Sequence, residues 1–242
     1  MNKPMIRYSV IREKNPREIV LLRGSGCKWR RCTFCDYHLD ASPDEKANFA
    51  LNKAALSQVT GVYHHLEVIN SGSFCDLDEE TMAEIEATCQ RCGITLLHFE
   101  CHFIHRQAIP ALRQRFAALG VDVKIKQGVE TFDRDFRENV LHKGIGVSDP
   151  AEIAKDFNEA CLLFGVTGQT AASMKQDIET GLAYFERVCV NLMTENSTNV
   201  HPDAEVLQAF MAEVFPLYEK NPRVDILLTN TDFGVGGADN AQ

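Results

Sequence analysis

Ile19-Val20-Leu21-Leu22-Arg23-Gly24-Ser25-Gly26-Cys27-Lys28-Trp29-Arg30-Arg31-Cys32-Thr33-Phe34-Cys35-Asp36-Tyr37-His38 is an apolar strand that runs straight into a loop carrying three cysteines. Their spacing is C-x4-C-x2-C. Three thiolates on one short loop can hold a cubane 4Fe–4S cluster by three of its four irons. The fourth iron then keeps an open position for a small molecule. Cys27, Cys32, Cys35 and His38 also have ligand spacing that suits a Cys3His zinc site. A small structural zinc site usually staples a module too small to have a core. This loop instead ends the first strand of a long chain, and in α/β folds ligands bind at such strand ends.

Working outward, apolar strands alternate with amphipathic helices. The pattern predicts strands near 18–23, 65–70, 94–101, 121–127, 160–166, 187–193 and 224–229. It predicts helices near 44–58, 78–92, 105–119, 132–142, 150–159, 170–185 and 202–219. Capping residues support these helices: Asp76 or Asp78 before Glu79, Asp149 before Pro150, Pro202 after His201, and Gly93 at a C-terminus. Repeated βα units imply a parallel sheet with right-handed crossovers. Six or seven strands are too few for a closed eight-stranded barrel. The expected fold is therefore α/β, a partial (βα)6 barrel with a parallel sheet. It forms one domain over 1–235, with a flexible tail over 236–242.

Composition narrows the function classes. The 242 residues suffice for one large domain, and 45% are hydrophobic, enough for a sizeable core. No apolar run approaches the roughly 20 residues of a membrane span. Met1-Asn2-Lys3-Pro4-Met5-Ile6-Arg7 lacks the apolar stretch of a secretory signal, so a cytoplasmic protein without membrane contact is expected. The nine cysteines then form no disulfide framework. Cys89-Gln90-Arg91-Cys92 closes a helical run and has no second CxxC to complete a four-thiolate site. Cys75, Cys161 and Cys189 read as small buried hydrophobes. The net charge of −9 argues against a nucleic-acid partner, which needs a basic surface. The local patch Lys28-Trp29-Arg30-Arg31 reads as a lid on the cysteine loop. A small-molecule substrate is expected.

Polar and ionisable residues collect just after the apolar strands: Asn70 to Phe74, Glu100 to His102, Lys126 to Glu130, Gly168 to Thr170, Asn191 to Glu195, and Asn230 to Asp232. Strand C-termini converge on one mouth in a barrel, so these residues are the candidate site. His64-His65 precedes its strand and reads as surface.

The cysteine loop resembles that of the radical S-adenosylmethionine superfamily, with Phe34 as the aromatic before the third cysteine. Asn70-Ser71-Gly72-Ser73, Lys126-Gln127-Gly128-Val129-Glu130-Thr131 and Gly165-Val166-Thr167-Gly168-Gln169-Thr170 match its pattern in order. Longer strings resemble the bacterial queuine lyase group: Asn15 through Gly24, Cys32 through His38, Leu66 through Phe74, and Gly128 through Asp133. The resemblance covers about 15–235 and implies two cofactors, a 4Fe–4S cluster and S-adenosylmethionine. It implies Cys27, Cys32 and Cys35 as cluster ligands. It implies Phe34, Asn70, Ser71, Gly72, Ser73, Lys126, Gln127, Glu130, Gln169 and Thr170 as S-adenosylmethionine contacts. Relatives often carry a glutamate after the glycine of the Asn70–Ser73 stretch, and this chain has none there. In the group, a 5′-deoxyadenosyl radical takes a hydrogen atom from queuine, the C–N bond breaks, and 7-aminomethyl-7-deazaguanine is released for tRNA modification. The implied activity is that of a carbon–nitrogen lyase, supplied with electrons by a donor such as flavodoxin or ferredoxin.

That substrate asks for particular side chains. A deazaguanine presents two adjacent donors, which one carboxylate accepts together. Glu100, Glu130, Glu195 and Asp232 are candidates. Phe74, Phe99, Phe103 or Phe233 can offer a ring face. Asp36, Tyr37, His38 and Asn191 suit the diol and the amine. Glu100 and His102, two apart on a strand and so on one face, are the candidate proton carriers. Two other readings stay open. One is another radical enzyme on a small heterocycle, such as 7-carboxy-7-deazaguanine synthase, for which Thr33 would be the metal-binding threonine. The other is a zinc-stapled binding protein.

Overall fold

Six strand–helix units follow one another along the chain. The structure, a computed structural model, describes residues 5–228. They divide into two compact units, one of residues up to 30 together with 37–125, the other of 31–36 together with 126 onward.

The first unit holds β1 (Tyr8–Ile11), β2 (Arg17–Leu22), α1 (Glu45–Leu56), β3 (His65–Asn70), α2 (Glu79–Cys92), β4 (Leu96–Glu100), α3 (Ile109–Ala117) and the start of β5 (Asp122–Glu130). β1 lies antiparallel to β2, while β2–β3 and β3–β4 are parallel. The second unit holds the end of β5, then α4 (Arg134–Asn139), α5 (Pro150–Ala154), β6 (Glu159–Phe164), α6 (Ala171–Tyr184), β7 (Arg187–Leu192), α7 (Ala204–Ala209), α8 (Phe215–Tyr218) and β8 (Val224–Leu227). β5–β6, β6–β7 and β7–β8 are parallel. Strand order follows chain order, as the expected partial (βα)6 class requires.

The helices start where local chemistry allows. Asp78 caps α2 by accepting from Thr81 N, and Gly93 closes it with φ 64°, a left-handed conformation that glycine adopts without cost. Asp149 caps α5 ahead of Pro150, as expected. The helix expected over 105–119 is divided: a 3-10 turn spans Phe103–Ala108, and α3 begins at Ile109. Pro110 is tolerated only in the first turn of a helix, so the α-helix starts there. Asp203, not Pro202, caps α7. A π-helical stretch, Phe210–Val214, precedes α8, whose Pro216 cannot donate to the helical ladder.

β2 and β6 are buried along their whole length, the pattern of strands covered on both faces. In the second unit Phe164, Met174, Ile178, Val188, Val190 and Phe210 form the centre of a continuous apolar cluster. Two expectations are corrected. β1 is an eighth strand, absent from the sequence pattern because four half-buried residues give too short an alternation. His65 is buried, not surface: its ring lies 4.5 Å from that of His98, because the residue opens β3. Asn230, Asp232, Phe233 and the tail lie outside the described residues.

Candidate active site

In the first unit the site is built around the turn that follows β3. The peptide turns sharply, with Gly72 N donating to Asn70 O at 2.7 Å. Asn70 Nδ2 donates to Ser73 O at 2.9 Å, and Ser73 N donates to Asp76 Oδ2 at 2.7 Å. A Cβ on Gly72 would stand 2.4 Å from Asp76 Oδ2 and 3.1 Å from Cys27 N, so any side chain there crowds both the carboxylate and the cysteine loop. Asp76 O in turn accepts from Ser25 N at 2.9 Å, anchoring the start of that loop. Asn70 and Asp76 are both buried, and Asn70 Oδ1 and Asp76 Oδ1 have no hydrogen-bond donor. Burial pushes the Asp76 carboxyl above the usual range, against the Ser73 N–H and the charges of His105 and Lys28. A buried acceptor without a donor costs about 1–3 kcal/mol, which an incoming N–H group would recover.

The end of β4 meets the same turn. His102 N donates to Ser73 Oγ at 2.9 Å, and His102 Nδ1 accepts from Ile104 N at 3.3 Å. With Nδ1 accepting, the neutral ring carries its proton on Nε2. Trp29 stacks on this ring, with centroids 5.5 Å apart and planes at 18°. Glu100 is half-buried and is the last residue of β4. The alternation expected to align Glu100 with His102 stops there, because His102 already caps the following 3-10 turn.

In the second unit the site is built around the end of β5. The pairing with β6 skips a residue between Gly128 and Glu130, and Glu130 has φ 69°. A positive φ at a residue with a side chain stores strain and re-aims that side chain. Glu130 Oε1 accepts from Lys143 Nζ at 2.6 Å, and both side chains are about nine-tenths buried. Burial alone would lower the Lys143 pKa, but Glu130, Cys32 and Cys35 raise it well above the usual lysine range, so the ammonium stays charged. Lys143 Nζ also lies 5.7 Å from the centroid of the Phe34 ring. Gln127 is fully buried; its Nε2 donates to Gly128 O, and its Oε1 has no donor. Lys126 is buried on the same strand.

The second cysteine pair is fixed by backbone contacts. Thr33 N donates to Leu141 O at 3.2 Å and Thr33 Oγ1 to Val140 O at 2.7 Å. The Thr33 hydroxyl, on which the 7-carboxy-7-deazaguanine synthase reading depends, thus donates its proton to a carbonyl and keeps its lone pairs. Phe34 packs on Leu141, Leu163, Val166 and Met193. Asn196 Nδ2 donates to Phe34 O at 2.7 Å, and Ser197 donates to Asp36 Oδ2 through both N and Oγ.

Several sequence candidates have other work. Gln169 clamps its own loop: Oε1 accepts from Val166 N at 3.0 Å and Nε2 donates to Leu163 O at 2.8 Å. Thr170 caps α6. Glu195 is 72% exposed and pairs with His201. Tyr37 is exposed and Asn191 half-buried, while Phe74, Phe99 and Phe103 are buried. Cys27, Cys32 and Cys35 are half-buried thiols outside any disulfide. Among the described residues, no three His, Cys, Asp or Glu side chains are gathered so as to hold one metal ion. None of the described helices is long and apolar enough to cross a membrane. Sequence reading missed Asp76, which it took for a helix cap, and Lys143, which sits in a loop without periodicity.

No family model matches the chain. It is 25% identical over 160 residues to an uncharacterized protein of Methanocaldococcus jannaschii, a stretch that is 57% of this chain and 43% of that relative's length. Two solved structures of Streptococcus suis SuiB, one bound to S-adenosylmethionine, align at 12% and 15% identity with TM-scores of 0.48 and 0.49, over 85% and 86% of this chain and 48% and 46% of theirs. A queuine lyase from Clostridium spiroforme, solved with SAM and queuine bound, aligns with a TM-score of 0.90 and 41% identity over 96% of this chain and 100% of that one. The chain belongs to the queuine lyase group of the radical S-adenosylmethionine enzymes.

Proposed function

We propose that this protein cleaves the C–N bond of queuine and releases 7-aminomethyl-7-deazaguanine. The observation that carries the reading is the full-length likeness to a queuine lyase that holds SAM and queuine. In this reading Cys27, Cys32 and Cys35 hold a 4Fe–4S cluster, which together with S-adenosylmethionine supplies the one-electron chemistry that starts the reaction. The donor chemistry fits: three cysteines stand on one short loop, and two of them interact with the buried charge of Lys143.

The chain's own residues have the following tasks. Ser71 and Ser73, with the open acceptors Asn70 Oδ1 and Asp76 Oδ1, bind the methionine ammonium. Asp76 thus supplies the carboxylate that the Asn70–Ser73 stretch lacks. Lys126, Gln127 and Glu130 face the ribose and carboxylate, and Phe34 meets the adenine through its backbone. Gln169 and Thr170 shape that pocket by fixing their loop. Glu100 reads the base, with Phe74 beside it. Asp36, Tyr37 and Asn191 take the diol, and Glu195 and Asp232 are the further carboxylates offered to the base. His102 holds a proton on Nε2 for the departing amine, its ring fixed by Trp29 and Ile104 N. A single-electron carrier such as flavodoxin or ferredoxin completes the system. No nucleic acid or membrane takes part, and the protein works in the cytoplasm.

The test is direct. Anaerobically reconstituted protein, given S-adenosylmethionine, a reductant and queuine, should form 5′-deoxyadenosine and 7-aminomethyl-7-deazaguanine. Iron-loaded protein that yields neither with queuine, yet turns over another deazaguanine, would overturn the substrate. Colourless protein with one bound zinc would overturn the reaction class.

A further inference from the structure

Lys143 is held with unusual care for a loop lysine. Its N–H donates to Arg137 O at 3.0 Å. The next three amides converge on one carboxylate: Gly144 N on Glu138 Oε2 at 2.7 Å, and Ile145 N and Gly146 N on Oε1 at 3.2 and 3.1 Å. Glu138 is held in turn by Arg137 Nε at 2.9 Å. Arg137 is fully buried and also donates to Thr131 O, next to Glu130, and to Val147 O. One guanidinium therefore ties the end of β5 to the Lys143 loop. Gly128 completes the fit, since a Cβ there would stand 2.8 Å from Lys143 Nζ.

This apparatus fixes a charge beside two of the cysteines. The Lys143 side chain is 11% exposed, touches Glu130, lies over Phe34, and interacts electrostatically with both Cys32 and Cys35. Charges act strongly where water is excluded. A metal group that gains one electron becomes more negative, so a fixed cation beside it favours the reduced form and a fixed anion disfavours it.

We propose that Lys143 sets the reduction potential of the metal group carried by Cys32 and Cys35, with Glu130 as its counterweight and Arg137–Glu138 as the positioning device. The proposal rests on the reading above that these cysteines carry an iron–sulfur cluster. The step it concerns is balanced simply: a one-electron carrier protein is oxidised, the cluster is reduced by one electron, and no bond forms or breaks.

The experiment is an anaerobic redox titration, followed by electron paramagnetic resonance, of reconstituted wild type, Lys143→Met, Lys143→Arg and Glu130→Gln. Iron content is measured on each. Lys143→Met should lower the reduced-to-oxidised ratio at fixed potential by about tenfold, equivalent to about 59 mV for one electron. Lys143→Arg should titrate with wild type, and Glu130→Gln should titrate higher. An unshifted Lys143→Met, or a Lys143→Arg shifted as far as Lys143→Met, would overturn the proposal. Should Lys143→Met fail to take up iron, an unshifted Glu130→Gln overturns it alone. Wild type that takes up no iron would instead overturn the functional reading beneath it.

Discussion

The turn after β3 and the end of β5 are built on opposite plans. After β3, two buried acceptors, Asn70 Oδ1 and Asp76 Oδ1, stand without donors, while Asn70 Nδ2 and Asp76 Oδ2 hold the turn together. At β5 the buried carboxylate of Glu130 already has its cation in Lys143, 2.6 Å away. The first region is incomplete by itself and asks for a donor from outside. The second meets its buried charge from within, and the acceptor left open there is the neutral Gln127 Oε1.

The sharpest way to break this contrast is Asp76→Asn. It keeps the acceptor for Ser73 N but removes the charge. Charge-assisted hydrogen bonds contribute about 1.5–3 kcal/mol, so the KM for S-adenosylmethionine should rise about 10- to 100-fold while the fold is kept. An unchanged KM would mean that the open acceptors meet no ligand.

A second prediction concerns the support of β5. Asp177 on α6 accepts from Phe132 N at 2.7 Å, just past the strand. Burial pushes its carboxyl up to about 6, with Asp133 adding to the rise and the Phe132 N–H, Thr131 and Arg137 opposing it. A folded-state pKa above the unfolded one means that stability is full below about pH 4 and is lost as pH rises through 6. Asp177→Asn should therefore be the more stable protein at pH 7.5, by about 2 kcal/mol, with the advantage gone at pH 4. Thermal melts at the two pH values decide it, and equal gains at both would show that the charge is not the cause.

The smallest effect is expected from Gly72→Ala. The new methyl displaces Asp76 Oδ2, whose present position would lie 2.4 Å from it. Overpacking of this kind costs about 1–3 kcal/mol, and the low end, about fivefold in KM, is expected because a carboxylate can swing. A KM equal to wild type would show that the turn has slack.

The same contrast explains what sequence made legible. All seven strands expected from periodicity are present, because each is an apolar run ended by a turn residue. The cysteine loop and the Asn70–Ser73 turn are legible for the same reason, as each ends such a run, whereas Lys126–Glu130, expected at the end of a strand over 121–127, is the second half of β5 itself. Asp76 stayed hidden because an aspartate just ahead of Glu79 and Glu80 looks like a cap, and Asp78 does that work. Lys143 stayed hidden because its place depends on Glu138 gathering three amides, a contact with no sequence period. Gln169 misled in the other direction. A polar residue after a strand suggests a ligand, yet both ends of its amide are used within six residues of chain.

β1 has a consequence beyond the site. Its antiparallel ladder, Tyr8 opposite Val20 through Ile11 opposite Arg17, occupies the flank of β2 that β3 does not. Leu21 N donates to Arg7 O, and Arg7 is pinned by Asp40. Without that short ribbon, one of the most apolar strands of the molecule would offer a bare row of amides and carbonyls to any other chain. Trimming the first dozen residues should therefore promote self-association, a fault of solubility rather than of chemistry.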